Sequence, residues 1–310
     1  MPGLWGVSLS GGALVSDDFR QPLRLGHTLL GDVAKATPLF LTLAAQYPYR
    51  AVDGWRDLPT VAFTPQLPGP WFLIWSICAR LGIRMVSDPA DADVVVFYQD
   101  RTVATFDARK IVRPGQPTIN QHCRNIGKAY VARQFETVFG YPLAVDPLRF
   151  QGPLVAKSNN NAAHDGRVLT GPLSMVEPGV AYQRLIDNRA PGGLVVDLRV
   201  LIYGPRIPVV MRKYRPVAER FSNDNCKIEV SRPEAEFSPT EIACLTTLAR
   251  SMRLDMGAFD VLRDNRTGRI FVVDVNKTDM GPPLILPLRH KLEAIDRLSD
   301  AFVKLLREAV

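Results

Sequence analysis

The segment spanning residues 257–283 constrains the fold and chemistry of this chain more than any other part. Two short runs rich in Val, Ile and Phe are joined by turn-forming residues at 264–268, which predicts two strands paired as a hairpin. Asp274 and Asn276 are two residues apart and share a strand face, and strand pairing brings Asp260 near them. Three hard oxygen ligands on a rigid sheet are typical of a magnesium site, which predicts an enzyme that uses ATP.

Composition and charge are typical of a globular protein and disfavour a nucleic-acid-binding protein. The chain has 310 residues, 46% hydrophobic and 22% charged, which is ordinary for a globular protein with a large core. Its net charge of +7 is spread along the sequence without a run of five Lys or Arg. We therefore expect no nucleic-acid partner, and the local basic clusters suit a polyanionic substrate such as a nucleotide.

Cysteine usage and hydropathy predict a cytoplasmic protein without a membrane partner. The four cysteines are far apart and form no CxxC pair, which disfavours a disulfide framework or a zinc site. The N-terminus lacks the pattern of a secretory signal. The longest apolar stretch, 71–79, is far shorter than the roughly 20 residues that span a membrane.

The order of predicted elements indicates an α/β (α+β) fold. We expect a first α/β unit over 1–115, on the substrate side, and a second over 116–310, divided into 125–187 and 188–310. Helices are predicted over 71–81, 125–139 and 289–308, with another opened by a capping box at 238–241. Strands are predicted over 83–86, 93–98 and 153–157, with a pair within 193–214. Residues 1–66 give no clear assignment.

Lys157 is the first basic candidate for a phosphate site. It ends an apolar strand and opens the polar loop SNNNAAHDGR, whose backbone amides could close over phosphates. The loop has no GxxxxGK[ST] pattern, so it is not a Walker A motif. The alternative is a solvated loop after an edge strand. His164, inside this loop, could contact phosphate or substrate, although a lone loop histidine is more often a surface residue.

Two further segments carry candidates. Residues 181–187 predict a strand leading into a linker whose backbone could bind an adenine edge, or an ordinary core strand. Arg212 follows an apolar run, and a guanidinium at a strand end suits a phosphate or an acyl phosphate. Arg199 shares a strand face with Asp197, so either an ion pair with it or a role in the site remains open.

The ordered set of these segments, from about residue 125 to 310, resembles the ATP-grasp superfamily with a glutathione synthetase-like ATP-binding domain. The resemblance implies an ATP-grasp fold preceded by a pre-ATP-grasp-like α/β domain that helps bind the variable substrate. It implies that Lys157 and Ser158, with the loop containing His164, contact ATP, and that Lys128 lies where an ATP-contacting lysine sometimes occurs.

The remaining matches extend to the base and the metal. The resemblance implies that the connector of Gln183, Arg184, Leu185 and Ile186 binds adenine through its backbone. It implies that Arg199 and Arg212 serve the phosphates, and that Asp260, Asp274 and Asn276 bind magnesium. Three departures stand out: Asp274 replaces a more usual glutamate, Lys277 stands where a small residue is common, and the phosphate loop is rich in asparagine.

The implied activity is ligation of a small-molecule carboxylate to an amine or other nucleophile, with ATP and Mg²⁺ as cofactors and Mn²⁺ as an alternative ion. A small-molecule kinase on the same scaffold and a nucleotide-binding protein without turnover are the competing hypotheses. The sequence identifies neither the carboxylate nor the nucleophile, and it is compatible with a homo-oligomer.

Overall fold

The computed structural model describes residues 8–10, 13–15, 23–24, 27–54, 58–161, 163, 165–222 and 224–310. His164 therefore lies outside the described residues. Helices and both parallel and antiparallel sheets alternate along the chain, so the predicted α/β (α+β) class is confirmed. None of the helices in the described ranges combines the length and apolar character needed to cross a membrane.

The described residues of the N-terminal part form two small sheets and two helices. Its elements are β1 (Ser8–Ser10), β2 (Ala13–Val15), β3 (Leu23–Arg24), α1 (His27–Gly54), β4 (Val61–Thr64), α2 (Leu73–Leu81), β5 (Met85–Val86), β6 (Val94–Phe97) and β7 (Thr118–Ile119). Strands β5, β4, β6 and β7 form a parallel sheet in that order. Strand β6 is buried on both faces, as its continuous apolar run predicted.

A three-stranded antiparallel sheet follows. Its part of the chain contains α3 (Lys128–Phe139), β8 (Gly152–Ser158), β9 (Arg167–Gly171) and β10 (Val180–Arg184), with β8 at the centre. Leu154, Ala156 and Tyr182 form the small core beneath it. Helix α3 begins three residues later than predicted, and β9 occupies a segment for which no strand was predicted.

The largest sheet carries the C-terminal part of the chain. Its elements are β11 (Arg189–Ala190), β12 (Leu194–Tyr203), β13 (Val210–Pro216), β14 (Lys227–Ser231), α4 (Pro233–Glu236), α5 (Pro239–Ser251), β15 (Met256–Arg263), β16 (Ile270–Asn276) and α6 (Leu288–Ala309). The order is β14-β13-β12-β15-β16, all antiparallel, with β11 beside β12. Both predicted hairpins are confirmed, and so is the capping box of α5, in which Ser238 and Glu241 bond each other's backbone amide.

The two faces of this sheet have different coverings. Leu198, Val200 and Phe259 point to one face and pack in a core with α3 and α5. Leu201 and Met256 point to the other face, where they pack with α2 and α6. That second covering stops partway along the strands, and charged side chains occupy the rest of the face. The predicted division near residue 115 stays a prediction, because α2 and α6 share one core across it.

Candidate functional site

The three candidate metal ligands lie on one face of the large sheet. Asp260 on β15 stands directly opposite Asp274 on β16, and Asn276 follows two residues later. The Asn276 Nδ2 atom donates to Asp260 Oδ2 at 3.4 Å. A register shift beyond Asp260 leaves Val273 as the extra residue of a bulge. The hairpin thus brings together the side chains that the sequence predicted to be close.

Arg199 is the main partner of Asp260. It lies opposite Asp260 on β12, and its Nη1 atom donates to both carboxylate oxygens at 2.9 and 2.8 Å. Lys213 Nζ lies 3.8 Å from Asp260 Oδ1. Burial alone would raise the pKa of Asp260, but Arg199 and Lys213 hold it well below its usual range. The other side of Arg199 donates to Asp279.

Two lysines approach Asp274. Lys128, at the start of α3, places Nζ 3.6 Å from Asp274 Oδ2 and donates to the Asn160 carbonyl at 2.7 Å. Lys157 donates to the Val273 carbonyl, which the bulge leaves outside the ladder, at 2.9 Å. Burial lowers the pKa of Lys157 to about 8, against the opposing effect of the Asp274 charge. The structure therefore brings both predicted lysines to the candidate metal ligands.

The predicted phosphate loop folds onto the N-terminus of α3. The Ser158 amide donates to Asp165 Oδ1 at 3.0 Å, and the Ser158 hydroxyl accepts from the Asn160 amide at 3.2 Å. Asn159 accepts from the Lys128 and Ala129 amides through its carbonyl and side chain. Ser158 and Asp165 thus supply the side-chain bonds within this loop, and Asn159 ties the loop to the first turn of α3.

A cleft with about 500 Å³ of empty space, part of it open to solvent, separates β8 and β10 from β15 and β16. Its lining residues are Val155, Lys157, Gln183, Arg184, Leu185, Ile186, Asn188, Asp197, Arg220, Phe221, Leu262 and Val273. All four predicted connector residues are among them. Apolar walls with polar groups at the edge suit a planar heteroaromatic base.

Polar groups at the cleft edge are only partly satisfied. Gln183 is 3% exposed, and its Nε2 atom has no hydrogen-bond partner. Arg220 donates to the Ile186 carbonyl at 3.1 Å and to Asn188 Oδ1 at 2.9 Å. Burying an amide without a partner costs free energy, so the Gln183 donor is a natural contact for a bound base. Arg220 was not predicted, because it lies in a loop far from the connector in sequence.

The structure places Arg212 away from the other residues that the sequence predicted to serve the phosphates. Arg212 pairs in register with Leu198, so it lies on the opposite face of the sheet from Arg199. Its guanidinium is 3.9 Å from Glu236 on α4 and lies over the Tyr214 ring. The next residue, Lys213, faces Asp260 instead. Side chains alternate between the two faces along β13, and the face shared with Arg199 includes Lys213, so the strand register identifies Lys213 as the residue facing Asp260.

Arg199 does not form the ion pair with Asp197 that its strand position allowed. Asp197 forms its ion pair with Arg215, whose Nη2 atom is 2.8 Å from Asp197 Oδ2, and Arg199 binds Asp260 and Asp279. Sequence reasoning also missed Asp100, which follows β6 and accepts from the Lys277 amide at 3.3 Å. Burial raises the pKa of Asp100 to about 6.

The donor set at Asp260, Asp274 and Asn276 fits magnesium in chemistry. Two carboxylates and a carboxamide on adjacent strands supply hard oxygens, which Mg²⁺ prefers. Within the described ranges no group of three or more His, Cys, Asp or Glu could hold a metal alone. An ion here would complete its coordination with phosphate oxygens and water, as Mg²⁺ usually does.

Solved structures share this architecture. The ATP-grasp ligase PsnB complexed with precursor peptide PsnA2 and AMPPNP matches with a TM-score of 0.54 and 15% identity, covering 80% of this chain and 98% of that chain. PsnB with a phosphomimetic variant of its minimal precursor, Mg and ADP matches with a TM-score of 0.53 and 14% identity, covering 80% and 99%. No family model and no curated protein matches the chain. With the sheet order and the placement of the predicted segments, these likenesses show that the chain has the ATP-grasp fold.

Proposed function

We propose that this protein is an ATP-dependent ligase that activates a carboxylate as an acyl phosphate for attack by an amine or another nucleophile. The observation that carries the proposal is the convergence of Asp260, Asp274 and Asn276 with Lys128 and Lys157 at one end of the cleft. A fold alone does not fix an activity, but these residues supply the chemistry that ATP requires. The similar structure of PsnB holds Mg and ADP.

Each part of the nucleotide has a matching part of the site. The base lies in the cleft against the 183–186 backbone, with the unpartnered Gln183 amide as a further donor. Lys157 and Lys128 bind the phosphates as point charges. Asp260, Asp274 and Asn276 would hold Mg²⁺, which supplies charge neutralisation on the phosphates when bound. Mn²⁺ has the same preference for oxygen and is the alternative ion.

The reaction needs no nucleophilic side chain. A substrate carboxylate oxygen attacks the γ-phosphorus, and the bond from that phosphorus to the β–γ bridging oxygen breaks, so ADP leaves. The nucleophile then attacks the carbonyl carbon, and the carbon–oxygen bond to phosphate breaks. Arg199 and Lys213 lie on the sheet face where negative charge develops, so their contribution is electrostatic.

The residues of the site suit a small-molecule carboxylate and a peptide carboxylate equally well. The similar protein PsnB is complexed with a precursor peptide. We also propose a cytoplasmic location, because the four cysteines are far apart in the sequence and show no spacing typical of a disulfide framework.

Nucleotide binding and acyl-phosphate formation test the proposal. ADP release with ATP, Mg²⁺ and a panel of small acids and peptides would be followed in a coupled assay, with hydroxylamine added to trap acyl phosphates as hydroxamates. We expect hydroxamate and ADP in equal amounts with at least one acid. A stable phosphorylated product without hydroxamate would identify a kinase instead.

A matched pair of variants ties the activity to the metal ligands. Asp274→Asn keeps the side-chain size but removes a charged ligand, so we expect ADP release to fall at least ~100-fold. Asp300→Asn, on the exposed face of α6, is the control and should retain full activity. Near-normal turnover in Asp274→Asn would refute the metal assignment, and no binding of ATP by the folded wild type would refute the proposed function.

A further inference from the structure

The short loop after β13, residues 217–222, closes one side of the cleft proposed to hold the base. Arg220 and Phe221 both line the cleft, although this loop belongs to the large sheet and the 183–186 connector continues from β10. Among the described residues of the cleft wall, Phe221 is the aromatic one, and its side chain is partly exposed. An aromatic ring beside aliphatic walls suits contact with a flat heterocycle.

A closed ring of polar contacts fixes this loop to the large sheet and to the connector. Arg220 Nη2 donates to Asn188 Oδ1 at 2.9 Å, and Asn188 Nδ2 donates to Asp197 Oδ1 at 2.9 Å. Asp197 Oδ2 lies 2.8 Å from Arg215 Nη2. Arg215 Nη1 completes the ring by donating to the carbonyl oxygens of Arg220 and Ser222, at 3.3 and 2.6 Å.

The contacts of Arg215 act on the backbone on both sides of Phe221. They bind the carbonyl oxygens of residues 220 and 222, and the Arg215 side chain is buried. Asn188, on the other side of the ring of contacts, is buried as well. Hydrogen bonds from a charged donor are stronger than those between neutral groups, and burial strengthens them further. The backbone around Phe221 is therefore held in one place beside the cleft.

Arg220 acts on the connector rather than on a free acceptor of the cleft. It donates to the Ile186 carbonyl at 3.1 Å, and the Asn188 amide donates to the same oxygen at 3.2 Å. A carbonyl oxygen has two lone pairs, so these two donors satisfy it. The bond from Arg220 thus ties the 217–222 loop to the connector and leaves the other connector groups to the base.

The Phe221 ring also lies against the predicted phosphate loop. A Cβ atom added to Gly166 would lie 2.5 to 2.9 Å from three ring carbons of Phe221, closer than packed carbon atoms approach each other. Glycine at this position therefore lets the ring stay where it is. The preceding residue, Asp165, accepts from the Ser158 amide within the same loop. The ring thus contacts both the cleft and the loop predicted for the phosphates.

We propose that Phe221 is a specificity-determining residue of the nucleotide site, whose ring contacts the nucleobase on one side and the phosphate loop at Gly166 on the other. Arg215 and Arg220 are its positioning residues. The inference rests on the proposed function, because it requires that the cleft binds the base of ATP. A ligand without a base, such as pyrophosphate, reaches the lysines and the metal ligands but not Phe221.

The first test compares ADP with pyrophosphate, each with Mg²⁺, by calorimetry on the full chain. Phe221→Ala should raise the Kd of ADP at least ~fivefold, because a base–aromatic contact is lost, and should change that of pyrophosphate less than about twofold. Arg220→Met should raise the Kd of ADP about threefold with the same indifference to pyrophosphate. An Arg220→Met protein that loses affinity for both ligands would show a phosphate contact and overturn its positioning role.

A double-mutant cycle tests the contact between Phe221 and Gly166. Gly166→Ala displaces the ring and should raise the Kd of ADP at least ~threefold, whereas in the Phe221→Ala protein the same change should have an effect below about 1.5-fold. Gly31→Ala is the control, because nothing in the described part of the chain, apart from its own helix backbone, lies within 4 Å of a Cβ added there. It should leave the Kd of ADP unchanged. The cycle decides the matter alone if pyrophosphate binds too weakly to measure.

Two results would overturn the inference while leaving the ATP site intact. One is a folded Phe221→Ala protein that binds ADP like the wild type, or that loses ADP and pyrophosphate affinity equally. The other is additivity of Gly166→Ala and Phe221→Ala in the cycle. Circular dichroism and a cooperative thermal transition identify the folded variants. Absence of ADP binding by the folded wild type would instead refute the proposed function.

Discussion

Lys157 gives the nucleotide site a pH dependence that follows from its surroundings. Burial lowers its pKa to about 8, and the nearby Asp274 charge opposes this shift. A phosphate ligand favours the charged ammonium, because an uncharged lysine offers phosphate no counter-charge. Nucleotide binding is therefore coupled to proton uptake by Lys157, and the affinity for ADP should fall as pH rises through 8.

The magnitude follows from the fraction of charged lysine. With a pKa of about 8, Lys157 is about 90% protonated at pH 7 and about 10% protonated at pH 9 in the free protein. If binding requires the protonated form, Kd for ADP rises about tenfold across this interval, or about 1.4 kcal/mol. At pH 8 the complex should take up about half a proton per ADP.

Isothermal titration calorimetry measures both quantities. Kd would be determined with ADP and Mg²⁺ at pH 7, 8 and 9, and the proton uptake from the binding enthalpy in two buffers with different ionisation heats. ADP avoids turnover during the titration. We expect a rising Kd and a buffer-dependent enthalpy that corresponds to proton uptake at pH 8.

Lys157→Arg is the control for this prediction. Arginine stays charged throughout this pH range, so its Kd for ADP should lose the pH dependence between 7 and 9. Burial also lowers the pKa of Lys213, but Lys213 is present in both proteins, so the difference between them isolates Lys157. Parallel pH profiles of the wild type and the variant would refute the assignment of this proton to Lys157.

Three further predictions use other residues. Arg199→Met removes the main partner of two partly buried carboxylates and leaves Asp260 with Lys213 alone, so urea unfolding should show a loss of about 3 kcal/mol, whereas Arg206→Met, which breaks a surface pair, should cost under about 1 kcal/mol. Lys213→Met should slow ADP release at least ~tenfold, while Arg212→Met should change it less than about twofold. The reverse order would contradict the conclusion that Lys213, and not Arg212, faces Asp260. Asn120→Ala should destabilise the fold by about 2–4 kcal/mol in the same unfolding assay, because the buried Asn120 side chain makes three hydrogen bonds to the start of β15. Unchanged stability would show that water replaces these bonds.

The fold could be predicted from the sequence where local patterns decide the structure. The hairpin of β15 and β16 follows from two apolar runs and a turn, so the proximity of Asp260 and Asp274 was foreseeable. The α5 capping box was equally local. Strand β9 escaped prediction because its two apolar residues, Val168 and Leu169, are consecutive, so the segment lacks the period-two pattern that distinguishes a strand from a loop.

The parts of the candidate site that sequence patterns could not predict depend on strand register and tertiary contacts. Arg212 and Lys213 are adjacent basic residues on β13, and only the register against β12 decides which one faces Asp260. A shift of one residue reverses the face, so composition cannot make that choice. Arg220 and Phe221 reach the cleft only because the loop after β13 packs against the segment that follows β10, and no spacing within the chain encodes that contact.

The charge balance of the free site explains why so many ionisable groups are buried here. Asp260, Asp274 and Asp279 are compensated by Arg199, Lys128 and Lys213. Replacing such groups with apolar side chains is often neutral or stabilising, so stability alone gives no reason to keep them. A nucleotide and its metal bring additional negative and positive charges, and these pairs can exchange partners with them. The ion pairs therefore hold these carboxylates in place before binding, a role that the Arg199→Met and Lys213→Met variants address from opposite sides of Asp260.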